Sequence, residues 1–330
     1  MKLKQIAQLL EAELVGNPEL EVYGISSVEK PKEGTLVFCE EGKNLELFKE
    51  KGVVLVVSEK IDFPDYLIVK NIRLSMARML SLLYPEKHPA GISEKAHIEE
   101  GVKIGKDVYV GPFAYIGKGA VLEDGVKVYP FSYVGEGVRI GRNSVLFSGV
   151  HVYPHCVIGE GVRIHSGSVI GADGFGYYVG PEGIFKLNHI GRVVIEDFVE
   201  VGANTCIDRA LLDETRIGKN TKVDNLVQVG HNCLVGEGNI LVSQVGLSGS
   251  VKTGKHVILA GQVGVADHVV IGDGAVVSAK AGVSKSLEGG RVYGGAIPAM
   301  EWNKWKRLYA YLLRLPELFK EKRHESKDST

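Results

Sequence analysis

No apolar run in this chain approaches the ~18 residues of a membrane span. The amino terminus, MKLKQIAQLLEAEL, has helical spacing but neither an apolar signal core nor a cleavage pattern, so a cytoplasmic protein is expected, one still able to meet a membrane surface. Charge of one sign is equally scarce. The formal balance over 330 residues is −1, which removes the case for a nucleic-acid binder driven by bulk positive charge. The four cysteines, Cys39, Cys156, Cys206 and Cys233, lack metal or redox spacing and read as free, packed thiols. Phosphate-binding loop, dinucleotide fingerprint and serine elbow are all missing.

What is present is a beat of six. Stepping from Ile98 through Ile104, Val110 and Ile116 to Ile170 gives thirteen aliphatic residues in succession. The beat returns at Ile195, Val201 and Ile207, then runs from Ile217 to Val283 with Thr253 as its one polar member. A helix repeats near 3.6 and a half-buried strand at 2, so a sustained six belongs to a parallel β-helix of short strands around a narrow core. Three hexads would close one coil of eighteen residues, and about nine coils at ~4.8 Å would stand roughly 45 Å tall. Glycine directly after many rung residues would relieve crowding at the corners.

Residues 1–90 lack the hexad and are expected to form a small α/β domain. Lys4 to Leu14 and Ser75 to Tyr84 read as helices, with β-type runs at Glu21–Ile25, Thr35–Phe38, Val53–Val57 and Tyr66–Val69. Pro85 to Lys95 reads as a linker. The coil domain is expected over 96–290, broken by insertions at 172–189 and 208–216. The first carries Gly174, Gly176, Gly180 and Gly183 with Phe175, Tyr177, Tyr178 and Phe185. Such a loop projects from one face, where binding loops gather, although a merely tolerated insertion fits equally well. A terminal helix is expected within 299–322. Its run from Met300 to Leu315 is kinked or ended by Pro316 and has a basic face of Lys304, Lys306, Arg307 and Arg314. That face is either simply solvated or a dock for an acidic protein.

The polar cluster in the coil is DNLVQVGHN, with Asp224, Asn225, Gln228, His231 and Asn232 around the rung residue Val229. Solenoid walls usually carry scattered charges, so uncharged hydrogen-bonding residues beside a histidine suggest a substrate site. A neutral imidazole serves as a general base near pH 7, although most of the ten histidines must be structural or solvated. Eighteen residues beyond His231 lies Gly249, whose bare N–H could act as an oxyanion donor. His268 falls close to two coils beyond His231 on the same wall, as a surface imidazole or a substrate contact. His151, His155 and His165 fall on different hexad phases, so no metal site is expected.

GADGFGY at 171–177, IGRVVIEDFVEVGANTCIDR at 190–209, DNLVQVGHN at 224–232 and GGAIPA at 294–299 resemble the UDP-3-O-(3-hydroxyacyl)glucosamine N-acyltransferases of lipid A biosynthesis. The hexad alone is shared by all hexapeptide acyltransferases. The ordered set of motifs is more specific, and the likeness covers nearly the whole chain. The resemblance implies a left-handed coil and a homotrimer with sites between neighbouring coils. It also implies that the 2-amino group of a UDP-glucosamine derivative attacks a 3-hydroxyacyl thioester on the phosphopantetheine of acyl carrier protein, with no further cofactor. His231 matches the general base, Gly249 the oxyanion donor and His268 a second functional histidine near the sugar-nucleotide phosphates. Asp224, Asn225, Gln228 and Asn232 join the substrate-binding set. Lys285, Arg291, Lys304 and Arg307 become candidates for the carrier protein.

Two positions depart from the family pattern. In the uracil-gripping loop Phe38 keeps the first aromatic, but Glu41 replaces an Asn and Asn44 a Tyr, which leaves Phe48 as an alternative ring. Where Met side chains limit the acyl tunnel, Lys280, Ala281 and Gly282 stand instead, so acyl length stays open. Two other readings also stay open: a related nucleotide-sugar O-acyl- or N-acetyltransferase, and a non-enzymatic β-helix binding protein.

Overall fold

The computed structural model describes residues 1–40, 45–296 and 299–325, and the side chains of all but 45–47 and 317–325 among them. The chain divides into two units, Met1–His88 and Pro89–Thr330.

In the first unit α1 (Leu3–Leu10) buries Leu3, Ile6, Ala7 and Leu10 along one stripe. It stops earlier than its sequence periodicity suggests, because Glu11 turns left-handed at φ 52°. Leu14 then belongs to β1 (Glu13–Val15) rather than to the helix. The strands β2 (Gly24–Ile25), β3 (Thr35–Phe38), β4 (Val54–Val57) and β5 (Tyr66–Ile68) complete a five-stranded sheet in the order β1-β5-β4-β3-β2. Among the described strands of this sheet only β1 runs antiparallel to its neighbour, and that pairing outweighs the helical spacing of Glu13 and Leu14. A short α2 (Leu45–Glu50), not expected from the sequence, precedes β4. The helix α3 (Ile72–Leu83) starts where the Asn71 side chain accepts the Leu74 N–H at 2.9 Å.

The second unit is a left-handed parallel β-helix. Its three walls are parallel sheets of ten, nine and eleven strands. Ile98, Ile116, Val134, Val152 and Ile170 pair in sequence, one above the next at eighteen-residue intervals. The next partners are Ile207 and then Val229, so both insertions loop out without breaking the ladder. Eighteen-residue steps resume through Leu247, Val265 and Val283. The aliphatic rungs form one continuous core, in which Ile116, Val134, Val152, Ile170, Ile207 and Val229 are fully buried. At Gly141 an added Cβ would lie 2.6 Å from the Gly159 carbonyl carbon on the coil above, which explains a glycine just after the rung residue. The expected linker also contributes structure: Gly91–Ile92 pairs with Tyr109–Val110 as the lowest rung.

Thr253 is accommodated by its hydroxyl. Thr253 Oγ1 accepts the Gly236 N–H at 3.1 Å and the buried Asn239 amide at 2.5 Å, replacing a ladder carbonyl with a side-chain oxygen. Residues 172–189 fold back as a β-hairpin, Tyr177–Gly180 against Gly183–Lys186. Its base is held by Arg209, whose guanidinium donates to the Gly171 and Pro154 carbonyls at 2.7 and 3.0 Å, and by an Asp173–Lys186 ion pair. The second insertion extends its wall, with Glu214–Ile217 pairing along Arg192–Ile195. The terminal helix, α4 (Trp302–Glu325), passes through Pro316 instead of ending there. The proline removes one backbone donor, and the turns on either side keep the rest.

Candidate functional site

Gln228 and Val229 form one two-residue strand, with Val229 buried in the core and Gln228 facing out. Gly230 turns the corner and presents His231 and Asn232, the latter left-handed at φ 60°, a conformation Asn tolerates well. Asn232 is fixed on three sides by the second insertion. Its backbone N–H donates to Thr215 Oγ1 at 2.8 Å, its Oδ1 accepts the Leu211 N–H at 3.0 Å, and its Nδ2 donates to the Leu212 carbonyl at 3.1 Å. The amide orientation is therefore set by two backbone partners. Oδ1 also faces His231 Nδ1 at 3.0 Å, so Nδ1 carries the imidazole proton and Nε2 keeps a free lone pair.

That free edge lies against Gly249. A Cβ added at Gly249 would stand 2.7 Å from both Cε1 and Nε2 of His231, so only glycine lets the two coils approach this way. The Ser250 N–H is taken by the His231 carbonyl and the Gly249 carbonyl accepts from the His268 N–H. No bond to Gly249's own N–H is found among the described residues. A groove of about 860 Å³ opens here, lined by Gln228, His231, Gly249 and His268 together with Phe175 and Asp208. Four of the residues singled out from the sequence thus meet in one place.

Asp224 and Asn225 do not join them. They border a separate groove of about 470 Å³ with His165, Glu200 and Lys222. Asp224 Oδ2 accepts the Ser243 N–H at 3.0 Å and Asn225 Oδ1 the Ala203 N–H at 2.6 Å, so both side chains tie corners of adjacent coils. Six residues carry the chain from one corner to the next, which separates them from His231. Asn232 acts as the anchor of His231 rather than as part of the groove lining.

Asp208 and His189 were not singled out from the sequence. Asp208 accepts the Gln228 amide at 2.9 Å, and burial pushes its carboxyl above the ordinary range, against the pull of Gln228 and the nearby imidazoles of His231 and His189. His189 is buried at the end of the hairpin, its ring edge-on to His231 with centroids 5.5 Å apart. Counting the ladder across the insertion was the available signal, since Ile207 pairs with Val229 and sets Asp208 beside Gly230.

Elsewhere, Lys285, Arg291, Lys304 and Arg307 are exposed, with Arg291 paired to Glu288 at 2.7 Å. Phe38 packs partly buried against the core of the first unit, and Phe48 is fully buried, so Phe48 offers no ring face to a base. Glu41 and Asn44 lie outside the described residues. Ala281 is buried, Lys280 is an exposed left-handed corner, and Gly282 faces open space on the wall above Gly264. Among the described residues no three His, Cys, Asp or Glu side chains gather as a metal site, and no helix is long and apolar enough to cross a membrane.

A hexapeptide coil that sets an imidazole lone pair against a bare peptide unit in an outward groove defines an acyl-transferring enzyme of the β-helix type. The family described as bacterial transferase hexapeptide (six repeats) matches residues 137–172. UDP-3-O-acylglucosamine N-acyltransferase of Campylobacter jejuni (strain RM1221) is 48% identical over 330 residues, covering 98% of this chain and 99% of its own. The protein of that name from Helicobacter pylori (strain HPAG1) is 43% identical, covering 94% of each chain. In structure, the UDP-N-acetylglucosamine acyltransferase of Francisella novicida superposes with a TM-score of 0.50 at 27% identity, over 65% of this chain and 71% of that one. The chain belongs to the UDP-3-O-acylglucosamine N-acyltransferase family, and it is an acyltransferase.

Proposed function

We propose that the enzyme moves a 3-hydroxyacyl group from acyl carrier protein to the 2-amino group of UDP-3-O-acylglucosamine, a step of lipid A biosynthesis. The observation that carries this reading is the free Nε2 of His231 against the Gly249 peptide. The amine nitrogen attacks the thioester carbonyl carbon while His231 Nε2 takes the amine proton. The carbonyl electron pair moves to oxygen, and the resulting oxyanion is met by the Gly249 N–H. Collapse re-forms the carbonyl and expels the phosphopantetheine thiolate, which recovers the proton from the imidazolium. Amide and thiol are the products. His268, on the same groove, is suited to the sugar-nucleotide phosphates.

Three further assignments belong to this reading. The solvent-facing Phe113–Phe131 stack, with centroids 5.3 Å apart, gives the wall an apolar surface for a neighbouring copy, in keeping with a closed homotrimer. The first unit holds the uridine, with Phe38 as its first aromatic. The exposed bases Lys285, Arg291, Lys304 and Arg307 suit an acidic carrier protein.

The test is His231→Ala, with turnover followed by mass spectrometry of the product. Turnover is expected to fall by ~10² or more with folding and assembly intact. Unchanged kcat, or an ester in place of an amide in the native product, would overturn the reading.

A further inference from the structure

His231 is not the only imidazole at this corner. His189 is 5% exposed, and its Nδ1 lies 2.9 Å from the Leu187 carbonyl, so Nδ1 carries the proton and Nε2 the lone pair. That Nε2 is buried without a hydrogen-bond partner among the described residues. A buried acceptor left unpaired is costly, so its place calls for an explanation. It lies against the hairpin turn at Gly174, beside His231. A Cβ added at Gly174 would stand 2.9 Å from His231 Cδ2 and 3.0 Å from His189 Nε2, so one bare turn of the hairpin separates the lone pair from the edge of the other ring. Asp208 faces the same groove from the coil below, held by Gln228.

We infer that His189 and Asp208 are positioning residues for His231, the lone pair of one and the carboxylate of the other stabilising the imidazolium that forms when the amine proton arrives. The inference rests on His231 being the general base. A neutral ring meets nothing in particular from these two groups, whereas a cationic one gains from both, so their effect is concentrated where charge develops. The hairpin thereby acquires a role in the chemistry, because it delivers His189 and the side-chain-free turn at Gly174. Other charged groups around the corner are the Asp173–Lys186 pair at the hairpin base, Arg209, whose guanidinium is engaged by carbonyls, and Asp267 and His268 across the groove. All are common to the variants compared below, so they do not contribute to differences between them.

The experiment is the pH dependence of kcat and kcat/KM for the intact enzyme and for His189→Phe, His189→Gln, Asp208→Asn and His231→Asn. Without that stabilisation the imidazole holds its proton less tightly. The acidic limb of kcat/KM is therefore expected to move to lower pH, by roughly one unit for Asp208→Asn and in the same direction by less for His189→Phe. The plateau of kcat falls, since a weaker base works more slowly, while KM for the amino sugar in the His189 variants holds. His189→Gln, whose carbonyl can replace the lone pair, returns the limb toward its original position. A limb that stays in place in both His189→Phe and Asp208→Asn overturns the inference. Should His189→Phe fail to fold, Asp208→Asn, at a position still lining solvent, decides. Persistence of the limb in His231→Asn is a different result: it removes His231 as the base, and this proposal with it.

Discussion

At the scale of single residues the site depends on what is missing as much as on what is present. Gly249 lies against Nε2 and Cε1 of His231 and Gly174 against its Cβ and Cδ2, both so close because neither carries a side chain. Gly249→Ala is therefore expected to push the imidazole aside by the order of an ångström and to cost about 10²-fold in kcat, with the circular dichroism spectrum unchanged. Wild-type kcat would mean that the two coils can slide apart without consequence. Half of this site was legible from the hexad. Counting eighteen from His231 reached Gly249, and the same arithmetic reached His268. Asp224 and Asn225 were grouped with His231 because they are close in sequence, yet a nine-residue segment of this coil spans two corners and faces two different grooves. Asp208 and His189 were hidden for the opposite reason: each stands where an insertion joins the coil and upsets the count.

At the scale of elements the fold tolerates irregularity when the backbone bonds are replaced. Thr253 shows this in the core. Thr253→Val keeps the shape but strands the buried amide of Asn239, so a loss of about 1–3 kcal/mol is expected, read from a urea or thermal unfolding curve. No loss would mean that the amide finds another acceptor. The period of six made the coil plain because it is set by local geometry repeated in every hexad. Elements decided by partners elsewhere were less visible. Glu13 and Leu14 read as helix, yet with Val15 they join β5 across more than fifty residues of sequence. The helix α4 was expected to stop or bend at Pro316, but one lost donor is not enough to end it. Its exposed bases are the proposed dock for the carrier protein. Charge reversal at Lys304 and Arg307 is expected to raise KM for the acylated carrier protein by about tenfold or more at low salt, the range of a coupling between close charges, while Kd for the sugar nucleotide stays put. Titration with both substrates checks this, and an unchanged carrier KM would move docking elsewhere.

At the scale of the whole molecule the β-helix behaves like a spiral stair with three landings per storey. Each landing is interchangeable with those above and below it, because Leu122 meets Ile140 in the same way that Ile116 meets Val134. Taking out Val121–Val138 should lower the upper flight by one storey and leave His231 on the same side of the shaft, with assembly kept. Removing only Val121–Val126 should also leave a sound stair, but every landing above the cut would swing a third of the way round, and the flank proposed to meet a neighbouring copy would no longer be a single flank. Native mass of the two shortened chains reads out that difference. Position along such a protein can be counted in whole storeys, and orientation is conserved only when the count is whole.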